Sequence, residues 1–165
     1  MKQSVLLQLQ ATAAQHETLL STLEAFNGAC QYVADVAYEN RTANKIALQP
    51  IVYNEMRARF GLSSQMAVRA ISRACDLYKQ DKRVHIRFRP HDEMMLDSRL
   101  VSFKGVTHVS VLCLPGRLLV PYRFLEYGPA RPDRVPGQAD LSLCQDLFQL
   151  HVCIDMPTAP PRPLA

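Results

Sequence analysis

Val5-Leu6-Leu7-Gln8-Leu9-Gln10 is the stretch on which the fold turns. Its period of two sends Leu7 and Leu9 to one side and Gln8 and Gln10 to the other, the pattern of a half-buried strand. A lone strand buries little, so it needs partners, yet the residues that follow it read as helix. Leu19, Leu23, Phe26, Cys30, Val33 and Ala37 recur at steps of three and four. That spacing predicts an amphipathic helix starting near Thr12 or Ala13 and fading over 39–42, weakened at its centre by Asn27-Gly28.

Pro50 is tolerated in a first helical turn, which predicts a second helix over 51–59 ended by Gly61. Ser63 caps a third, with Ala67, Ala70, Ile71, Ala74, Cys75 and Tyr78 on its buried face. Strand signals return only after Lys82, over 84–88, 100–103, 108–114, 117–122, 139–144 and 148–154, with Lys104-Gly105 and Pro115-Gly116 as turns. The first strand therefore finds its partners beyond residue 82. The expected class is α+β: a small antiparallel β-barrel from 1–11 and 83–156, interrupted at 12–82 by an insertion of about three helices. The proline-rich residues 157–165 read as a tail or linker. Two sequential domains, with the first strand paired only locally, are the alternative.

Hydrophobic residues make up 48% of the chain and charged ones 21%, a globular balance. The 19 Lys plus Arg against 15 Asp plus Glu give only +4, so placement matters more than the sum. From Lys79 to His91 stand Lys79, Lys82, Arg83, Arg87 and Arg89 against Asp81 alone. Read as a strand, Arg83-Val-His-Ile-Arg-Phe-Arg-Pro-His91 puts Arg83, His85, Arg87 and Arg89 on one face and Val84, Ile86 and Phe88 on the other. Such a face suits a phosphate backbone, and it equally suits protection of an exposed sheet edge.

Other cations join the candidate surface: Arg57, Arg69 and Arg73 on the helices, then Arg99, Lys104 and Arg123 among the strands. Arg131 and Arg134 lie in the proline- and glycine-rich loop 128–137. Around Arg123 stand Tyr122, Phe124 and Tyr127, where an exposed ring would stack on a base while the arginine met phosphate. Core packing is the simpler role for Phe124.

Several chemistries find no support. Cys30, Cys75, Cys113, Cys144 and Cys153 are odd in number and widely spaced, which fits neither a disulfide framework nor a zinc knuckle and points to a reducing cytoplasm. No apolar run nears the roughly 20 residues that span a bilayer, so no membrane partner is expected. His91, Asp92, Glu93 and Asp97 form the one local cluster that a divalent ion would use, with loop capping or ion pairs to residues such as Arg99 as the simpler reading. No glycine-rich phosphate loop, paired zinc histidines or serine elbow occurs. No cofactor, metal or catalytic residue is expected.

Three ordered stretches carry a family likeness. Leu96-Asp-Ser-Arg-Leu-Val-Ser-Phe-Lys-Gly105, Val109-Ser-Val-Leu-Cys-Leu-Pro-Gly-Arg-Leu-Leu-Val-Pro121 and Gly137-Gln-Ala-Asp-Leu141 resemble the region before the nuclease core of TnpB/OrfB transposon proteins, relatives of type V CRISPR effectors. Residues 6–36 resemble, less specifically, that family's first strand and recognition helix. The resemblance implies an RNA-guided DNA endonuclease architecture: an OB-like wedge barrel interrupted by a helical recognition domain, both holding guide RNA and its duplex with target DNA. In that family a following RuvC domain cuts DNA with magnesium-bound acidic residues, which have no counterpart here, so no intrinsic cleavage is expected. Asp146-Leu147 also departs from the family's frequent Asp-Gly hairpin.

The expected function is a noncatalytic nucleic-acid-binding module. Structured guide-like RNA would be its partner, with target DNA as a further one and a protein supplying nuclease activity. A protein-interaction or assembly subunit of a transposase-like complex, and a divalent-metal-dependent nuclease using Asp92, Glu93 or Asp97, are the alternatives.

Overall fold

A computed structural model describes residues 2–125 and 138–155. Strand β1 (Lys2–Leu9) runs into helices α1 (Ala13–Asn40), α2 (Lys45–Phe60) and α3 (Ser64–Gln80). Six strands follow: β2 (Met94–Asp97), β3 (Val101–Lys104), β4 (His108–Cys113), β5 (Gly116–Phe124), β6 (Gln138–Cys144) and β7 (Leu147–Asp155). They form one sheet in the order β2-β6-β7-β1-β5-β4-β3, with every pairing antiparallel.

β1 lies at the centre of this order, with Leu7 opposite Leu150 of β7 on one side and Phe124 of β5 on the other. The strand that opens the chain is thus built into the sheet by strands that arrive after three helices. The two end strands, β2 and β3, are consecutive in sequence and separated only by residues 98–100. Their nearness brings the sheet's ends together, and the result is a nearly closed antiparallel barrel-like sheet interrupted by three helices. Val5, Leu7 and Leu9 alternate into its core, against Met94, Leu141 and Leu150 from other strands.

Each helix carries a local start signal. Thr12 and Gln15 form a reciprocal capping box at α1, Asn44 accepts from the Ile46 and Ala47 amides at α2, and Ser63 accepts from Met66 at α3. α2 begins well before the expected residue 51. Pro50 consequently sits inside it rather than in its first turn, where it cannot donate to the Ile46 carbonyl. The Asn44 cap and the buried stripe Leu48, Val52, Met56 hold the extra turn against that defect. Gly28 is no weak point in α1: a Cβ there would stand 3.0 Å from Phe60 Cε1, so glycine lets the end of α2 approach.

The hairpin between β6 and β7 also differs from expectation. Its two central residues are Gln145 and Asp146, both left-handed at φ 50° and 65°, while Leu147 is already the first residue of β7. Leucine therefore does not occupy the turn. His16 of α1 covers it, with Nε2 3.1 Å from the Asp146 carbonyl oxygen.

The largest correction concerns 84–88, which is no strand. That segment pairs with no other strand, and the sheet resumes only at β2, a strand the sequence pattern did not single out. The reason is competition from α1, whose polar side chains take the hydrogen bonds that a neighbouring strand would have made.

Candidate nucleic-acid interface

Along one face of α1 stand Glu24, Asn27, Gln31, Asp35 and Tyr38, spaced by three or four residues and so aligned in a row. Each holds part of segment 85–92. Asn27 Nδ2 donates to the carbonyls of Pro90 and Asp92 at 3.0 and 2.8 Å. Gln31 Nε2 donates to the Ile86 carbonyl at 3.0 Å, and Gln31 Oε1 accepts from the Phe88 amide at 2.7 Å. This is how the N–H and C=O of one residue in a parallel strand would bracket residue 87.

Histidines fasten both ends of the strap. His85 Nε2 lies 2.6 Å from Asp35 Oδ1, and its ring stacks on Tyr38 at 4.5 Å between centroids with 6° between planes. His91 Nε2 lies 3.0 Å from Glu24 Oε1. Ile86 and Phe88 pack against the core from the inner side, whereas Arg83, Arg87 and Arg89 are exposed. The alternation read from the sequence holds over 86–89 without a sheet to impose it, whereas Val84, expected on the inner face, is 51% exposed. His85 leaves the basic row, because its imidazole is committed to Asp35 and Tyr38.

The other candidate residues fall in different places. Arg69 reaches Asp97 at 3.5 Å and lines, with Arg73, Ser72 and Met95, a cleft of about 150 Å³. Arg83 is paired with Asp81 at 3.2 Å, and Arg99 donates to Gln65 Oε1 at 3.1 Å. Arg123 donates to Gln8 Oε1 at 2.8 Å, on the β1–β5 side of the sheet. Lys82 and Lys104 are exposed. Arg57 donates to the Leu62 carbonyl and lies over Tyr53. Arg131, Arg134 and Tyr127 lie outside the described residues. Tyr122 is 6% exposed and packed between Phe103 and Phe124, so it offers no open ring for a base.

Two of the acidic candidates, Asp92 and Asp97, serve turns. Asp97 Oδ1 accepts from the Arg99 and Leu100 amides at the corner between β2 and β3, and Oδ2 accepts from Gln65 of α3. Asp92 Oδ2 accepts from the Arg89 amide at 2.9 Å. Among the described residues, no group of three or more His, Cys, Asp or Glu is placed to hold a metal ion. No helix among them is long and apolar enough to cross a membrane.

Burial raises the thiol pKa of Cys30, Cys75 and Cys113, against smaller opposing influences from Arg73 on Cys30, Lys45 on Cys75 and the Thr22 hydroxyl on Cys113. These thiols stay protonated and serve as small apolar side chains.

A groove of about 580 Å³ borders the strap where α1 and α3 end, lined by Tyr38, Glu39, Arg41, Tyr78, Lys82 and Arg83. Arg41 and Tyr38 were not singled out by charge pattern or periodicity, and Tyr78 was read only as part of the buried face of α3. The one local signal was Asn40-Arg41 at a helix end where glycine is the usual residue. No protein-family model matches the chain, and no curated protein matches it.

Proposed function

We propose that this chain is a nucleic-acid-binding module, with phosphate contact centred on Arg87 and Arg89. The observation that carries the reading is their presentation. Both side chains extend from a backbone pinned to α1, are exposed, and form no ion pair within the described residues. A cation held at a fixed place without a protein partner suits a phosphate, and contacts of this kind give register and affinity without sequence preference.

The resemblance of 96–105, 109–121 and 137–141 to TnpB/OrfB proteins supports a structured, guide-like RNA as the ligand, with target DNA as a further one and a cytoplasmic setting. The engagement of Asp92 and Asp97 in turns supports holding nucleic acid over cutting it. The test is the double charge reversal Arg87→Glu with Arg89→Glu. It should weaken RNA binding and make the salt dependence shallower, by about 0.9 in log–log slope per lost duplex phosphate contact. Unchanged affinity in a folded variant refutes the assignment.

One observation favours the assembly reading. On α2, Ile46 is 84% exposed and borders a groove of about 410 Å³ with Gln49, Pro50 and Tyr53. Recovery of a defined protein partner from ribonuclease-treated extract, lost on Ile46→Glu, would support that role.

A further inference from the structure

We infer that the groove at the ends of α1 and α3 takes one unstacked nucleotide of single-stranded RNA, a ligand class that rests on the nucleic-acid reading above and adds a second contact to it. The site joins an aromatic platform to a cluster of cations. Tyr38 is 40% exposed, and His85, which is not part of the groove's lining, covers one face of its ring. Tyr38 lines the groove, and its ring is held in place because Asp35 fixes the His85 stacked on it. A ring so restrained loses little freedom when a base stacks on it, and such stacking tolerates any base.

Arg41, Lys82 and Arg83 supply the cations, against Glu39 in the lining and Asp81, which pairs with Arg83 at 3.2 Å. The C-terminal carbonyls of α1 and α3 favour cations nearby, which accounts for part of this cluster. Arg41 goes beyond that account. It caps α1 in the left-handed conformation at φ 51° and ψ 45°, where glycine would sit without strain. Capping uses only its backbone N–H, toward Ala37 and Tyr38, so the guanidinium remains available to a phosphate. A groove of this size is concave and suits an extruded nucleotide, whereas a duplex shields its base faces by stacking.

The test uses fluorescence anisotropy of the full chain with a labelled 12-nucleotide single-stranded RNA and with a perfect RNA duplex of the same length. Tyr38→Leu should weaken single-strand binding by roughly tenfold or more. It should weaken duplex binding far less than single-strand binding, even though Tyr38 also stacks on His85 of the strap, and Tyr38→Phe should restore the single strand. Arg41→Gly should raise thermal stability while lowering single-strand affinity, with a salt slope shallower by about 0.7. That variant keeps the test available should Tyr38→Leu fold poorly.

If wild-type protein binds neither probe at low salt, the nucleic-acid reading falls and this inference with it. If wild type binds both and the folded variants match it on the single strand, the groove inference alone is overturned. Equal losses on both probes overturn it too, because they report a displaced strap instead of a lost stacking partner.

Discussion

Replacing Gln31 with alanine should release the basic strap without changing the charge of the protein. The side chain makes two hydrogen bonds to the strap backbone, from Nε2 to the Ile86 carbonyl and to Oε1 from the Phe88 amide, and a third to Asp35. A net hydrogen bond contributes about 0.5–1.5 kcal/mol, so losing the two strap bonds costs about 1–3 kcal/mol. The lower half of that range applies because Gln31 and its partners are only partly buried and water can replace some of the contact. Amide hydrogen exchange at Phe88 reads the effect directly, with protection falling about tenfold per 1.4 kcal/mol if exchange follows local opening. RNA affinity should fall in parallel with no change in net charge, since Arg87 and Arg89 lose their fixed backbone. Unchanged protection at Phe88 in Gln31→Ala would refute the view that the amide stands in for a strand.

Three other outcomes follow from the geometry. Gln145→Asn with Asp146→Gly supplies the residues that a two-residue left-handed turn prefers, and should stabilise the fold by about 1 kcal/mol in urea titration; a loss would mean that the Asp146 side chain near His16 matters more than the turn. Pro50→Ala restores a donor to the Ile46 carbonyl on an exposed helix face and should raise the melting temperature by several degrees, within a helix penalty of about 3 kcal/mol for proline. Among the described cysteines, Cys144 is exposed and should react first with a thiol reagent, with Cys30, Cys75 and Cys113 reacting only on unfolding. Their raised pKa means that the folded chain keeps thiol protons which the unfolded chain releases above about pH 8.5. This contribution to stability is complete below that pH and declines above it, so the urea midpoint should drop between pH 8 and 10, and drop less in Cys30→Ala.

The helices were legible because their signals are local. Periodic apolar residues, the Thr12, Ser63 and Gly61 boundaries and the buried face of α3 all act within a few residues of chain. The interruption of the barrel was legible for a simpler reason, that an alternating strand at 5–10 must find partners and the strand signals cluster after residue 82. At the candidate site the picture divides. The exposed arginines of the strap could be read from alternation, but His85 could not be separated from them, because its fate depends on Asp35 and Tyr38 some fifty residues away in sequence. Tyr122 likewise looked like a stacking ring until Phe103 and Phe124 enclosed it.

By itself, the sequence determined the helix faces, most of the strands, the antiparallel barrel split by an insertion, and the local excess of positive charge between 79 and 91. Only the tertiary structure decided that this charged segment lies on α1 and outside the sheet. A backbone segment satisfies its hydrogen bonds with whatever donors and acceptors reach it, and here Asn27 and Gln31 of α1 supply them. The same long-range packing brought Arg41, Tyr38 and Lys82 to one groove, because the up-down-up course of three helices sets the ends of α1 and α3 side by side.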